Sequence, residues 1–191
     1  MPELPEAEVA ARQLRERVVG AIVRDCWVGR EDIVREGLSL LQWFHGAAIT
    51  GVERRGKSVI IAFSRAEQTK FLVAELGMTG LLLFRNTPTR LPQHTHFALK
   101  LEGGAESEIR YWNPRRFGRL SLLDQAGLDR YTSRRFGPDP LVISQKQFVQ
   151  LLSSTRSRLK LLLMHQQAIA GIGNIYANEM LFRARLHPDQ I

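Results

Sequence analysis

The chain has 191 residues, 24% of them charged, with a formal net charge of +8 and a pI near 10.4. That length can form one large domain or two small ones around a buried core, and the composition excludes disordered and collagen-like chains. Cys26 is the single cysteine, which excludes an internal disulfide and a multi-cysteine zinc site within this chain and is typical of a reducing compartment.

No apolar run in the sequence approaches membrane-spanning length, and the acidic N-terminus is unlike a signal peptide. We therefore expect a soluble, cytoplasmic protein that does not bind membranes. The excess of basic residues favours a polyanionic partner such as nucleic acid. A basic pI alone is a weak indicator, because many cytosolic proteins share it.

The first predicted element is a helix over residues 5–19. Its apolar residues recur at helical spacing, Gly20 is well placed to end it, and arginines occupy the opposite face. The apolar stripe consists of Ala7, Ala10, Ala11, Leu14 and Val18. We expect this stripe to pack on a larger apolar surface, with the N-terminus of the helix at the edge of that surface.

Residues 21–123 form a series of short β-rich runs separated by glycine and proline, a pattern typical of an antiparallel sandwich or barrel. Residues 38–44 fit a short helix as well as a strand. Gly56 falls between two runs and predicts a hairpin turn with Lys57 at its tip. The predicted strands are 22–28, 48–52, 58–63, 70–74, 81–84, 97–101, 108–112 and 119–122.

The pattern changes after residue 130. Residues 131–143 begin with a basic stretch rich in proline and glycine, which predicts a linker. Ser144 and Gln147 then match a capping box at the start of a helix. Two further helices follow, separated by a glycine-containing turn. The three predicted helices are 144–152, 156–167 and 175–185.

Together these elements predict an α+β chain with two domains. An N-terminal antiparallel β-sandwich with a leading helix occupies residues 1–130, and a helical domain occupies residues 144–191 after the linker. The sequence contains no internal repeat and no low-complexity segment.

The first six residues, Met1 to Glu6, contain a candidate nucleophile. Removal of Met1 would leave Pro2 with a free secondary amine, next to Glu3 and one helical turn from Glu6. An α-amino group titrates at about pH 7.7–8, so part of it is unprotonated at neutral pH. Such an amine can form an iminium with an electrophilic carbon while a carboxyl shuttles protons. The alternative is structural, because proline and acids in the first turn are typical of any helix start.

Two loops in the β-rich part carry candidate contacts to nucleic acid. The loop N-P-R-R-F-G places Arg115, Arg116 and Phe117 between two strands, a combination suited to phosphate binding and to stacking in a gap of the double helix. Met78, within L-G-M-T-G, is a candidate apolar wedge. Packing of Met78 in the core is the more common alternative.

The turn G-I-G-N carries Gly173 and Asn174 between two predicted helices. Glycine there lets backbone N–H groups approach a phosphate, and the following helix adds its dipole. Arg156 and Lys160 would add positive charge nearby, and an ordinary helix–helix turn is the alternative. His94, in H-T-H, is too little for a metal site and fits a phosphate or base contact, or a plain strand residue.

In their order along the chain, these motifs resemble formamidopyrimidine-DNA glycosylase, a bacterial family that excises oxidised purines such as 8-oxoguanine. The sister endonuclease VIII group usually lacks the Leu4–Pro5 pair and the R-R-F-G loop, which favours oxidised purines over oxidised pyrimidines. The resemblance extends from residue 1 to residue 189 and rests on M-P-E-L-P-E, R-R-G-K, L-G-M-T-G, H-T-H, N-P-R-R-F-G and G-I-G-N-I-Y-A-N-E followed by H-P.

The resemblance implies a DNA glycosylase and AP lyase that acts on double-stranded DNA as a monomer, without a cofactor in this chain. It also implies that the glycine turn belongs to a helix–two-turns–helix (H2TH) DNA-binding domain, which is incomplete here. Pro2 would attack C1′ and form a Schiff base, and Glu3 would help to open the sugar. Lys57 would serve in β-elimination and contact the lesion's phosphate, and Glu6 would support the site. The implied DNA contacts are Met78, Arg115 and Phe117 in the gap left by the flipped nucleotide, and His94, Arg116, Arg156, Lys160, Gly173 and Asn174 along the backbone.

Several features depart from the family pattern. The sequence stops shortly after Pro188, where the family continues with a helix, a loop and a four-cysteine zinc finger, so we expect a truncated chain that binds zinc only if the native protein continues. The late arginine of δ-elimination is absent too. Glu75 and His165 stand where the family would place a histidine and an acid.

Two alternative functions follow from these departures. If Met1 stays attached, the Pro2 nitrogen is an amide, and the protein would be a non-catalytic binder of damaged or abasic DNA. If the C-terminal part is absent in nature, the protein would instead be a lyase that acts only on abasic sites.

Overall fold

The structure, a computed structural model, describes residues 2–86 and 92–190, and this part of the chain contains five α-helices and nine β-strands. The helices are α1 (Leu4–Val18), α2 (Gln125–Arg135), α3 (Gln145–Ser153), α4 (Leu159–Met164) and α5 (Asn174–Ala184). The strands are β1 (Ile22–Val28), β2 (Val34–Glu36), β3 (Ala48–Arg55), β4 (Ser58–Arg65), β5 (Gln68–Glu75), β6 (Leu81–Phe84), β7 (Thr95–Glu102), β8 (Glu108–Trp112) and β9 (Arg119–Leu123). The segment Leu38–Phe44, which fitted either helix or strand, forms a 3₁₀-helix.

The strands form one sheet in the order β2-β9-β5-β4-β3-β1-β7-β8-β6, antiparallel except for the parallel pairing of β2 with β9. β1 and β3 meet at the register pair Ile22 and Ala48. The two halves of the sheet, β2 to β3 and β1 to β6 in this order, meet across the core, since the Tyr111 hydroxyl of β8 donates to the Glu75 carbonyl of β5 at 2.7 Å. The predicted antiparallel sandwich is therefore confirmed, and the short parallel edge strand β2 is an addition to it.

Apolar side chains from both halves of the sheet fill one core, and α1 closes that core. Ala7, Ala11, Leu14 and Val18 are at most 1% exposed and pack against the buried strand residues. Fully burying a side chain the size of Leu14 or Val18 contributes about 1.5–3 kcal/mol relative to leaving it exposed. The predicted first helix is confirmed, and Gly20 follows it at φ +91°.

Helix α2 was not predicted, and it overlaps the N-terminal part of the segment 131–143 that was expected to be a linker. Asp124 caps the helix by accepting from the Gly127 N–H at 2.8 Å. Tyr131 and the half-buried Phe136 belong to a small second cluster, which packs on strands β4, β5 and β9 outside the main core. Few residues of α2 are apolar and buried, so its helical periodicity is weak in the sequence, and the proline and glycine residues after it favour a linker.

The helices after residue 143 follow the prediction in part. The predicted capping box is present, since Ser144 N donates to Gln147 Oε1 at 3.0 Å and Gln147 N donates to Ser144 Oγ at 3.3 Å. α4 is shorter than the predicted helix 156–167, because the chain turns after it and places Ile169 and Ile172 in the core of the helical part. The exact domain boundaries stay a prediction. Within the described residues, none of these helices is long and apolar enough to cross a bilayer.

Arg54 on β3 fastens three separate segments to one another. Its side chain is 6% exposed, and its Nε donates to the Glu8 carboxylate of α1 at 2.9 Å. Nη1 donates to the Gly56 carbonyl in the β3–β4 turn at 3.0 Å, and Nη2 donates to the Asp139 carboxylate at 2.5 Å. Each nitrogen of this buried guanidinium has an acceptor, as a buried charge requires. Arg54 therefore holds α1, the hairpin and the segment after α2 in one arrangement.

Asp139→Asn should lower the free energy of unfolding by about 3 kcal/mol, because it removes one partner of a buried ion pair. Urea unfolding followed by circular dichroism measures the change. Asp25→Asn is the matched control, since Asp25 pairs with Lys100 on the surface and its loss should leave the midpoint nearly unchanged. Equal losses in the two variants would show that the Arg54 contact contributes no more than a surface pair.

Candidate functional site

A cavity of about 710 Å³ lies where the sandwich meets the later helices. Pro2, Lys57 and Met78, three predicted site residues that are far apart in sequence, line this cavity together. The rest of its wall comes from the end of β5, the end of α2 and the turn after α4, and Glu75 and Arg135 belong to it. The fold thus gathers the predicted nucleophile, the hairpin lysine and the predicted wedge at one place.

The Glu3 side chain is fully buried and caps the N-terminus of α5. Its Oε1 accepts from the Ile175 N–H at 2.9 Å, and its Oε2 accepts from the Gly173 and Tyr176 N–H groups at 2.9 and 3.2 Å. The first N–H groups of a helix have no partner within the helix, and the helix dipole favours negative charge there. Glu3 therefore docks the first residues of the chain onto the glycine turn.

Gly171 and Gly173 permit this docking, because a side chain at either position would collide with the N-terminal residues. A Cβ on Gly171, at φ +102°, would lie 2.7 Å from Leu4 Cδ1, and a Cβ on Gly173 would lie 2.3 Å from Glu3 Cδ. The Gly171 N–H donates to Gln166 Oε1 at 2.8 Å, and the Gly173 N–H donates to Glu3. In this structure both N–H groups are directed at protein acceptors, as in the alternative of an ordinary helix–helix turn, and the part of Gly173 in DNA binding stays a prediction.

Glu6 stabilises the start of α1. Its Oε2 accepts from the Glu3 N–H at 2.8 Å, which is the helix-start arrangement considered as the structural alternative. Glu6 is exposed, and Pro2 precedes this cap and lines the cavity half-buried. Met1 lies outside the described residues, so its removal stays a prediction.

Lys57 lies half-buried in the turn between β3 and β4, at the position predicted for it. Gly56 turns the chain at φ +58°, and a Cβ there would come within 2.7 Å of the Phe136 ring, so the hairpin packs closely on the segment after α2. Burial lowers the pKa of Lys57 below its usual 10.5, and the charge of Glu3 opposes part of that shift. The Lys57 amine is therefore more easily deprotonated than that of a surface lysine.

Met78, Arg115 and Phe117 lie on two adjoining loops, and Met78 lines the cavity. Met78 is 37% exposed and Phe117 is 61% exposed, so the core-packing alternative for Met78 does not apply. The Arg115 guanidinium lies 5.7 Å from the centre of the Phe117 ring. A Cβ on Gly77 would lie 2.4 Å from the backbone nitrogen of Gly118, so the two loops touch through their backbones. The structure therefore presents the predicted wedge residues side by side.

The other predicted DNA contacts lie outside the cavity. The His94 ring, directly before β7, has its centre 6.2 Å from that of Trp112. Arg116 is exposed at φ +56°, Arg156 is exposed between α3 and α4, and Lys160 is half-buried on α4. Asn174 is exposed as the first residue of α5. The part of these residues in DNA binding stays a prediction.

Sequence reasoning missed a polar wall of the cavity formed by Glu75, Tyr131 and Arg135. Arg135 Nη1 donates to Glu75 Oε1 at 2.9 Å, and its guanidinium lies 4.7 Å from the centre of the Tyr131 ring. The Tyr131 hydroxyl is 3.0 Å from Ser58 Oγ, and burial raises the pKa of Tyr131 above its usual value. The sequence marked this wall in one way. Glu75 and His165, the two residues that depart from the family pattern, both line the cavity.

The residues present do not fit the zinc of a four-cysteine finger, because Cys26 is the single cysteine of the chain. Burial raises the pKa of the Cys26 thiol to about 12, so it is protonated at neutral pH and is a poor metal ligand. Among the residues that the structure describes, no three His, Cys, Asp or Glu side chains form a group able to hold a metal ion.

Comparison with known protein families covers most of the chain. Residues 1–120 match the family model described as the formamidopyrimidine-DNA glycosylase N-terminal domain, and residues 136–191 match the H2TH domain of that glycosylase. The formamidopyrimidine-DNA glycosylase of Thermomicrobium roseum is 38% identical over an alignment of 204 residues, gaps included. The alignment covers 98% of this chain and 69% of the relative. That of Thermus thermophilus is 40% identical over 196 residues, which cover 98% of this chain and 66% of the relative.

Solved structures share the fold. Lactococcus lactis Fpg in complex with DNA containing N7-benzyl-Fapy-dG has a TM-score of 0.84 at 30% identity, over 99% of this chain and 70% of that chain. MutM in complex with DNA containing carbocyclic 8-oxo-G has a TM-score of 0.84 at 30% identity, again over 99% of this chain and 70% of that chain. The fold class expected from the resemblance is therefore confirmed, and the chain belongs to the formamidopyrimidine-DNA glycosylase family.

Proposed function

We propose that this protein is a DNA glycosylase and AP lyase that removes oxidised purines, such as 8-oxoguanine and formamidopyrimidines, from double-stranded DNA through a Schiff base at Pro2. The observation that carries the proposal is the convergence of Pro2, Lys57 and Met78 on one cavity of about 710 Å³. A cavity of this size accommodates a small-molecule ligand such as an everted nucleotide. Membership of the family and the damaged-DNA complexes of its structural relatives support the same substrate class.

In the proposed reaction, the unprotonated Pro2 nitrogen attacks C1′ of the everted nucleotide, and the bond between C1′ and the damaged base breaks. The base departs with the bonding electrons and takes up a proton. Glu3 takes up the proton that the Pro2 nitrogen releases on attack and passes it, as an acid, to the ring oxygen, so that the sugar ring opens and the adduct becomes an iminium. Lys57 then removes a proton from C2′, and the 3′-phosphate leaves by β-elimination.

The charges around the cavity suit this chemistry. A lowered pKa increases the fraction of Lys57 that is present as free base at neutral pH. Glu3, one residue from the nucleophile, is held by the N-terminus of α5. Glu3 therefore orients Pro2 in addition to its role as an acid, and such orientation lowers the entropic part of the barrier.

Binding to the duplex depends on the wedge residues and on basic residues around the cavity. Extrusion of a nucleotide costs a few kcal/mol, and Met78, Arg115 and Phe117 offset part of that cost by filling the gap. Contacts to phosphates dominate the affinity and make it salt-dependent. We propose that a monomer in the bacterial cytoplasm makes these contacts, with Gly173 shaping the turn that presents Asn174. The phosphate contacts are His94, Arg116, Arg156, Lys160 and Asn174.

A non-catalytic binder of damaged or abasic DNA is the second candidate, and the geometry of Glu3 favours it. The Glu3 carboxylate is fully buried and holds three backbone N–H groups, a structural use that requires no chemistry at Pro2. Intact mass of the purified protein separates the two candidates, because retained Met1 blocks the amine. Comparing cleavage of abasic and 8-oxoguanine duplexes identifies a lyase that acts only on abasic sites.

Protein that begins at Pro2 should form a covalent adduct with an 8-oxoguanine duplex in the presence of borohydride, which reduces the iminium. Pro2→Gly should remove most of the adduct, because a freely rotating amine replaces the ring-constrained nitrogen, while duplex affinity should change by less than about twofold. Denaturing gels and gel-shift titrations measure the two effects. Pro5→Ala is the matched control, since Pro5 lies in the first turn of α1. Full trapping with Pro2→Gly, or none with the Met1-free wild type, would refute the proposed nucleophile.

Cleavage of an abasic duplex should accelerate as the pH rises through the pKa of Lys57, which lies below 10.5, because the deprotonated amine is the base. Lys57→Arg should remove the part of this rise that comes from Lys57, leave the part that comes from the Pro2 amine, and slow cleavage roughly 10²-fold, since arginine stays protonated. Single-turnover rates measured from about pH 6 to about pH 10 test the expectation. This range extends about two pH units on either side of the usual pKa of an α-amino group. Lys146→Arg, exposed on α3, is the control. An unchanged pH profile in Lys57→Arg would exclude Lys57 as the base.

A further inference from the structure

Asn113 is fully buried directly after β8, at the base of the N-P-R-R-F-G loop. Its Nδ2 donates to the Tyr111 hydroxyl at 2.9 Å. Its Oδ1 accepts from the Thr79 hydroxyl at 3.1 Å and from the Arg116 N–H at 3.1 Å. An amide side chain has two donors and an oxygen with two lone pairs, so both lone pairs of Asn113 are used on protein partners. These contacts hold its side chain in one orientation.

Thr79 completes the same network from the loop that carries Met78. Its hydroxyl donates to Asn113, and its Oγ accepts from the Arg115 N–H at 3.2 Å, across 36 residues of sequence. The Thr79 hydroxyl therefore bonds to two residues of the N-P-R-R-F-G loop, Asn113 at its start and Arg115 further along it. The two loops also pack closely through their backbones at Gly77 and Gly118.

The linked loops are also anchored to the sandwich. The Tyr111 hydroxyl, which accepts from Asn113, donates in turn to the Glu75 carbonyl at the end of β5 at 2.7 Å. The buried His96 ring lies with its Nε2 3.0 Å from the Asn113 carbonyl oxygen. Hydrogen bonds thus run continuously from the sheet through Asn113 to both loops.

We infer that Thr79 and Asn113 are positioning residues that fix Met78, Arg115 and Phe117 relative to one another before DNA is bound. The three side chains then enter the duplex as one rigid wedge. This inference rests on the proposed function, and neither Thr79 nor Asn113 contacts the reacting atoms. Two unlinked loops would lose conformational freedom on entering the duplex, and that loss would reduce the free energy available for extruding the nucleotide.

The consequence is a selective effect on stacked lesions. An 8-oxoguanine nucleotide must be unstacked before Pro2 can reach C1′, whereas an abasic site has no base to unstack. Loss of the Thr79 hydroxyl should therefore slow excision of 8-oxoguanine and leave cleavage at an abasic site almost unchanged. A general defect in folding or in the catalytic groups would slow both reactions alike.

Thr79→Val tests the inference, because it removes the hydroxyl and keeps the β-branched shape, while Thr79→Ser keeps the hydroxyl. Single-turnover rates for Thr79→Val are expected to fall about tenfold on the 8-oxoguanine duplex and by less than about twofold on the abasic duplex. Thr79→Ser and the control Thr69→Val, at an exposed position of β5, should keep wild-type rates on both. Thermal melting verifies that every variant is folded.

Equal slowing on both duplexes, or unchanged excision of 8-oxoguanine by Thr79→Val, would overturn the inference. If the wild type cleaves neither duplex, the proposed function fails, and unstacking is measured without chemistry. The fluorescence of 2-aminopurine placed beside the lesion should then rise when the wild type binds and rise less with Thr79→Val. An identical rise with the two proteins would overturn the inference independently of any catalysis.

Discussion

The contact between the Glu3 carboxylate and the N-terminus of α5 determines where the chain begins in space. The two partners are separated by as much as 173 residues in sequence, and three backbone N–H groups converge on the carboxylate. The first residues of most domains are poorly ordered unless tertiary contacts hold them. Here the residue after Pro2 is buried and hydrogen-bonded, so Pro2 is confined to the wall of the cavity. The proposed use of its nitrogen depends on this confinement.

Arg54 provides the corresponding constraint for Lys57. It binds the Gly56 carbonyl of the turn that carries the lysine, and it binds Glu8 on the helix that follows the proposed nucleophile. Pro2 is therefore held through the contact of Glu3 with α5, and Lys57 is held through the contacts of Arg54 with α1 and Asp139. Groups that are placed before the substrate arrives avoid an entropic cost during the reaction.

Long-range pairs are the part of the site that the sequence could not predict. Glu75 is the last residue of β5 and Arg135 is the last residue of α2, and neither position is unusual in the sequence. The ion pair between them, at 2.9 Å, forms only because α2 packs beside β5. Thr79 and Asn113 belong to two motifs that were recognised separately, and only the packing of their two loops against each other forms the hydrogen bond between them. A single sequence has no local signal for such contacts.

The sequence by itself determined the leading helix, most strands, the hairpin at Gly56 and the capping box at Ser144, because each depends on periodicity, on caps or on the conformational freedom of glycine. Its motifs also identified the family. Only the tertiary structure decided how those parts are used. The N–H groups of Gly171 and Gly173 bond to Gln166 and Glu3, and α2 forms on a narrow apolar face. These outcomes depend on which distant surfaces meet, and that is decided by packing of the whole chain rather than by the local properties of any segment.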